Sequence, residues 1–220
     1  LLPHLQNVRP YVPGKPIEEL RRERNIDGEI LKLASNENPR EPLDAIREAI
    51  VAEIPQLNRY PNSGSYYLVR DIAAHLGVEP ERVFVANGSN EILDLMVRAF
   101  VGPGDEVVYP YPSFLVYPIV SQLVAAKTIE VPLRDYTIDL HAVREAMTQN
   151  TRMVFICNPN NPTATHIGRN DVERFMSTVR EDTIVLFDEA YFEYVTAEDY
   201  PDTIAMMAKH PNIVVTRTFS

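Results

Sequence analysis

The chain has 220 residues, with 31 acidic against 21 basic side chains for a formal charge of −10, an apolar fraction of 45 % and a charged fraction of 24 %. That composition fits one large folded domain, or one and a half, and excludes a disordered chain. The acidic balance excludes a nucleic-acid footprint, which needs clustered basic side chains. A single Cys157 excludes a disulfide framework and a zinc site built on cysteine pairs, and the five histidines are too scattered for ligand spacing, so no metal is expected. One cysteine points to a reducing, cytosolic compartment.

The first eighty residues hold two proline-rich extended segments, residues 9–16 and 38–42. Two helical patterns follow, with apolar positions Leu43, Ile46, Ile50 and Ile54, then Leu68, Ile72 and Leu76, separated by a loop over residues 58–65. This region reads as an arm that packs on something else, partly on a second chain. Residues 1–42 are taken as the arm or part of a small domain, and residues 43–220 as the large domain.

From residue 80 onward two periods alternate. Strand-like runs fall at residues 82–86, 106–109, 127–131, 152–157, 183–187 and 212–216. Helical stripes lie between most of them: Ile92, Leu95, Met96, Ala99 and Phe100; then Leu140, Val143 and Met147; then Val172, Phe175, Met176 and Val179. Several runs are apolar at consecutive positions, as in strands covered on both faces, which predicts an α/β fold with a mainly parallel sheet. Residues 107–126 carry no charge over a span long enough for a bilayer. Pro110, Pro112 and Pro118 make that span a poor membrane helix, so a buried strand, loop and helix are expected, and no membrane partner. The sequence stops at Ser220 straight after a strand-like run, with no helix to return it to the sheet, so a fragment of a longer polypeptide is expected.

Three strand-to-loop junctions carry polar motifs. Asn87-Gly88-Ser89-Asn90-Glu91 precedes a helical period rather than a second alternating strand, so it reads as a loop opening a helix and not as an Asn-Gly hairpin. Ser89 is the expected N-cap, and the free N–H groups of that first turn favour an anion such as phosphate. After the run ending at Cys157 comes Asn158-Pro159-Asn160-Asn161-Pro162-Thr163, a proline-stiffened turn whose carboxamides suit a flat polar ligand. The third is Asp188-Glu189-Ala190-Tyr191 after four apolar residues. It imitates the magnesium-binding strand of P-loop enzymes, but the only Gly-Lys pair, Gly14-Lys15, lacks the upstream glycine, so that reading fails. A carboxylate at the end of a buried strand needs a partner of opposite charge, here supplied by a ligand. Ser89, the aromatic pair Phe114 and Tyr117, Asn161, Asp188 and Tyr191 together match the phosphate, flat ring, basic nitrogen and phenolic oxygen of pyridoxal phosphate.

The order N-G-S-N-E, P-S-F, N-P-N-N-P-T, D-E-A-Y, T-R-T-F-S resembles the fold-type I pyridoxal-phosphate aminotransferases over residues 8–220. Arg9-Pro10-Tyr11-Val12-Pro13-Gly14-Lys15-Pro16-Ile17-Glu18-Glu19-Leu20 and Leu33-Ala34-Ser35-Asn36-Glu37-Asn38-Pro39 are similar to the histidinol-phosphate aminotransferase family. The resemblance implies a three-layer αβα sandwich and a homodimer with a shared active site. It implies that Asp188 pairs with the pyridine nitrogen, that Tyr191 and Asn161 bond the phenolic oxygen, and that Phe114 stacks on the ring. The phosphate would take the Ser89 and Asn90 amides, the Thr218 and Ser220 hydroxyls, and Tyr60 from the neighbouring subunit, while Tyr11 and Asn36 line the substrate site. The family pattern T-[RK]-T-[FL]-S-K places a Schiff-base lysine directly after Ser220, and the small C-terminal domain is expected beyond it. Ala164 stands where the family usually has glycine.

The implied reaction moves the amino group of histidinol phosphate to 2-oxoglutarate, in histidine biosynthesis. An aromatic amino-acid aminotransferase and a threonine-phosphate decarboxylase share this cofactor site and stay open. So does a non-catalytic cofactor-binding module, should the lysine be lacking.

Overall fold

In the computed structural model, every residue except Asn7 and Val12 is described, so the proline-rich motif at residues 9–16 is known apart from Val12. The chain forms two compact units, one of Leu1–Pro10 with Ile72–Ser220 and one of Tyr11–Asp71.

Five apolar runs of the larger unit become strands: β1 (Glu106–Tyr111), β2 (Lys127–Pro132), β3 (Thr151–Cys157), β4 (Ile184–Asp188) and β5 (Ile213–Thr216). All pairings are parallel, in the order β2-β1-β3-β4-β5. Parallel neighbours require crossovers. They are α5 (Val116–Leu123) between β1 and β2, α6 (Leu140–Ala146) between β2 and β3, α7 (Arg169–Met176) between β3 and β4, and α8 (Thr203–Met206) between β4 and β5, while α4 (Gly88–Phe100) precedes β1. Local chemistry marks two of the starts: the Asp139 side chain accepts from the N–H groups of His141 and Ala142 ahead of α6, and Asp202 accepts from that of Ala205 at α8.

Alternation along the central strands splits the core in two. Val154 and Ile156 of β3, with Val185 and Phe187 of β4, meet Leu140, Val143, Val172, Phe175 and Met176 from α6 and α7. Met153, Phe155 and Cys157, with Leu186, meet Leu93, Val97, Val116, Tyr117 and Val120 from α4 and α5. The result is the expected three-layer αβα arrangement. The order reverses between β1 and β3, so the carboxyl ends of those strands flank a topological switch point, where open α/β sheets place their ligands.

Two expectations are corrected. Residues 82–86 do not join the sheet: Pro80–Arg82 is a 3-10 turn, Val83 is extended, and no ladder partner exists among the described residues, with Phe84 70 % exposed. Residues of high β propensity form a strand only where a neighbouring edge accepts their backbone bonds. In α4 the buried stripe is Leu93 and Val97, with Met96 packed beside them, whereas Leu95 and Phe100 are exposed. The helix is rotated so that Leu93 rather than Ile92 leads the face against the sheet.

The smaller unit holds α1 (Ile17–Arg24), α2 (Asp44–Glu53) and the start of α3 (Tyr66–Leu76). Lys15 pairs with Glu19 and Glu23, and Lys32 with Glu37. The apolar positions Leu43, Ile46, Ile50 and Ile54 along α2 are exposed. Among the described residues no helix is long and apolar enough to cross a membrane.

Candidate active site

The P-S-F, N-P-N-N-P-T, D-E-A-Y and T-R-T-F-S motifs lie at the carboxyl ends of β1, β3, β4 and β5, whereas N-G-S-N-E opens α4 with no strand before it among the described residues. Register sets Cys157 opposite Asp188 and Asp188 opposite Thr216. The backbone N–H of Asn158 donates to the Asp188 carbonyl at 3.0 Å, and that of Glu189 to the Thr216 carbonyl at 2.9 Å. Asp188 thus lies beside the asparagine turn, at 2 % exposure.

Its carboxylate is held by hydroxyls and a backbone amide. Tyr117 donates to Oδ2 at 2.8 Å, Thr216 to Oδ1 at 3.3 Å, and the Ala190 N–H adds a third bond. Burial pushes the Asp188 carboxyl above the ordinary carboxylate range, and these donors pull it back in part. No Lys, Arg or His among the described residues forms an ion pair with it. A buried carboxylate so placed fits a cationic N–H brought by a ligand.

The three asparagines divide in role. The Asn158 amide clamps Ile167, accepting from its N–H at 2.8 Å and donating to its carbonyl at 3.3 Å. Asn160 accepts from Ser113 Oγ at 2.7 Å and donates to the Pro112 carbonyl at 3.2 Å and to Thr163 Oγ1 at 2.8 Å, which fastens the loop after β3 to the loop after β1 across the switch point. Both are buried. Asn161 is half-buried, and its carboxamide makes no hydrogen bond among the described residues. Only Asn161 is therefore suited to a ligand; Asn158 and Asn160 build the loop. Ala164 adopts φ +57°, the left-handed region that favours glycine.

Tyr117 differs from expectation. Rather than facing the crevice beside Phe114, it is fully buried, stacked on Phe155 at 4.6 Å with the rings 8° apart, and Phe114 meets it edge-on at 5.7 Å. Its place behind Asp188 follows from α5, where Val116, Tyr117, Val120 and Ser121 form the buried face. Tyr191 is half-buried, three residues beyond Asp188.

At α4 the residue before the first turn is Asn87, not Ser89, with Gly88 at φ +74° as the first helical residue. Glu91 replaces the expected serine cap by reaching back to accept from the Asn87 N–H at 2.6 Å and from Asn87 Nδ2 at 3.0 Å. Ser89 is half-buried and Asn90 exposed. After β5, Thr218 Oγ1 accepts from the Ser220 N–H at 3.0 Å. No hydrogen bond among the described residues joins Ser89, Asn90, Thr218 or Ser220 to the Asp188 cluster. Tyr11, Asn36 and Tyr60 belong to the smaller unit and are exposed there.

One pair not singled out by the sequence motifs is Glu189 and Arg217, in which a fully buried carboxylate meets the guanidinium at 2.9 Å. An acidic residue within D-E-A-Y and a basic one within T-R-T-F-S, on adjacent strand ends, were the available signal.

Residues 28–220 match the family model for aminotransferase class I and II. The chain belongs to this family. It is 43 % identical over its whole length to histidinol-phosphate aminotransferase 2 of Hydrogenovibrio crunogenus, covering 59 % of that protein. It is 45 % identical to histidinol-phosphate aminotransferase 2 of Pseudomonas aeruginosa, over 99 % of this chain and 59 % of that one. The chain thus spans about three fifths of the length of the family relatives it matches. Among solved structures, histidinol-phosphate aminotransferase from Sinorhizobium meliloti, determined with pyridoxal-5'-phosphate, superposes with a TM-score of 0.86 at 24 % identity, over 100 % of this chain and 58 % of that one. That likeness establishes the family's αβα fold for this chain.

Proposed function

We propose that this chain forms the cofactor-binding part of a pyridoxal-phosphate-dependent aminotransferase that moves the amino group of histidinol phosphate to 2-oxoglutarate. The observation that carries the cofactor is Asp188, a buried carboxylate with hydrogen-bond donors on both oxygens and no ion pair among the described residues. The curated relatives, whose names specify histidinol phosphate, support the substrate.

Pyridoxal phosphate, when bound, supplies an electron sink for the charge left on an amino acid that loses its Cα proton. Asp188 would hold a proton on the ring nitrogen, which keeps that sink effective. Asn161 and Tyr191 would donate to the phenolic oxygen, and Phe114 would cover a ring face. The Ser89 and Asn90 amides, with the Thr218 and Ser220 hydroxyls, would receive the phosphate, since the free N–H groups of a first helical turn favour an anion. Tyr11 and Asn36 would contact the amino donor.

The proposal extends to a cytoplasmic homodimer in which Tyr60 reaches the neighbouring protomer's phosphate. The exposed apolar positions of α2 support a partner surface.

The test is a half-reaction. The intact protein, loaded with pyridoxal phosphate, is mixed separately with histidinol phosphate, phenylalanine and threonine phosphate, and loss of the cofactor's visible absorbance is followed. Fastest loss with histidinol phosphate is the expected result; a faster rival reassigns the substrate, and a protein that takes up no cofactor refutes the proposal.

A further inference from the structure

The path of β4 decides which residues reach Asp188. Val185 and Phe187 point into the core formed with α6 and α7, and Leu186 into the core formed with α4 and α5. Alternation carries Asp188 to the same side as Leu186, where Tyr117 of α5 waits. The Tyr117 ring is fixed on two sides, stacked on Phe155 and met edge-on by Phe114. Ser121 Oγ, one turn on, donates to the Tyr117 carbonyl at 2.7 Å. In this frame the phenol hydroxyl is aimed at Asp188 Oδ2, 2.8 Å away.

We infer that Tyr117 is a positioning residue for the cofactor chemistry: its hydroxyl fixes the Asp188 carboxylate and lowers its proton affinity, so that the shared proton stays on the ring nitrogen of bound pyridoxal phosphate. This rests on the function proposed above. A phenylalanine would fill the same ring-shaped space without a buried hydroxyl to desolvate, so packing alone does not account for the oxygen. The other side-chain donor to Asp188, Thr216, is longer at 3.3 Å, which leaves Tyr117 the shorter of the two. Proton affinity matters because burial works in the opposite direction, favouring a neutral carboxyl that would take the proton from the ring. A phenol whose own ionisation is pushed far up by burial and by the neighbouring Asp188 charge stays protonated, and therefore stays a donor. The Cys157 thiol, also buried nearby, is pushed up to about 12 and remains a neutral, weak donor.

The experiment loads the intact protein with pyridoxal phosphate labelled with 15N at the ring nitrogen and compares parent, Tyr117→Phe and Asp188→Asn by NMR, with cofactor affinity measured alongside. In the parent the nitrogen resonance should sit at the protonated position. In Tyr117→Phe it should move toward the unprotonated position, with affinity reduced about tenfold, because a hydrogen bond to a charged group is lost. A ring-fluorinated tyrosine at position 117, a stronger donor of nearly the same shape, should hold the resonance at the protonated position and keep the parent's affinity, and it serves if Tyr117→Phe does not fold. An unmoved resonance and unchanged affinity in a folded Tyr117→Phe protein, while Asp188→Asn shifts both, overturns the role of Tyr117 and leaves the function standing. Loss of cofactor binding with the fluorinated residue also overturns it. A parent that binds no pyridoxal phosphate overturns the function and this role with it.

Discussion

The Arg217 guanidinium donates to Glu189 Oε2 through Nε at 3.1 Å and Nη2 at 2.9 Å, while its Cζ lies 3.4 Å from the centre of the Phe192 ring. Glu189 is completely buried, and Thr203 donates to its other oxygen. Burial pushes the Glu189 carboxyl up, against the Thr203 hydroxyl and the Arg217 charge, which pull it down. The pair joins the carboxyl ends of β4 and β5, directly beside Asp188 and ahead of Thr218.

Arg217→Met should therefore lower stability by about 3 kcal/mol, because a buried carboxylate is left without its cation. Arg217→Lys should recover little, since an ammonium cannot reproduce the two-donor contact while stacking on Phe192. Urea denaturation of the intact protein reads both. A loss below about 1 kcal/mol for Arg217→Met, the scale of an exposed pair, would contradict this account.

Asp188→Asn should separate stability from activity. The folded Asp188 carboxyl is raised above its unfolded value, so its contribution to stability is full below the unfolded pKa, near 4, and is lost as pH rises through the folded value. The cofactor-free variant should then be more stable than the parent at neutral pH, with the gap closing as pH falls through the raised folded value and gone by roughly 4. Transamination by the loaded variant should fall roughly a hundredfold or more. Thermal melts across pH, beside a turnover assay, check both; a variant less stable than the parent at pH 7 with near-parental turnover would count against the buried-anion account.

Ala164→Gly should raise stability by about 0.5–1 kcal/mol. Alanine at φ +57° carries roughly 1–2 kcal/mol of left-handed strain, and glycine removes it while returning part as chain entropy. A lower melting temperature for the glycine variant would contradict this.

Cys157 is buried, and burial pushes its thiol up to about 12, with the Asp188 charge adding to the shift. Position 157 should resist iodoacetamide in the native protein at pH 8 and react only after denaturation, as peptide mass spectrometry would show. Rapid native labelling at this position would mean that the carboxyl end of β3 is open to solvent.

Much of this was legible in the sequence because burial imposes periodicity. Consecutive apolar residues at 153–157 and 184–187 announced strands covered on both faces, and Val172, Phe175 and Met176 named the buried side of α7. Residues 82–86 misled because β propensity is a property of the segment, whereas pairing depends on a free edge. The α4 stripe misled because Ile92, Leu95 and Phe100 are as apolar as the Leu93 and Val97 that meet the sheet; a helix with apolar residues on several faces does not reveal which is inward. Asp188 was readable as a buried carboxylate, but its donors were not. Tyr117 and Thr216 lie 71 and 28 residues away, and only the sheet register brings them to it.

The central claim is that Asp188 awaits a cationic ring nitrogen. Its most direct test compares the affinity of the intact protein for pyridoxal phosphate and for the carbon-for-nitrogen analogue, 1-deazapyridoxal phosphate, in the parent and in Asp188→Asn. The account predicts that the parent prefers the nitrogen-containing ring by about tenfold or more, and that Asp188→Asn abolishes the preference. Equal affinity for the two rings in the parent would contradict it.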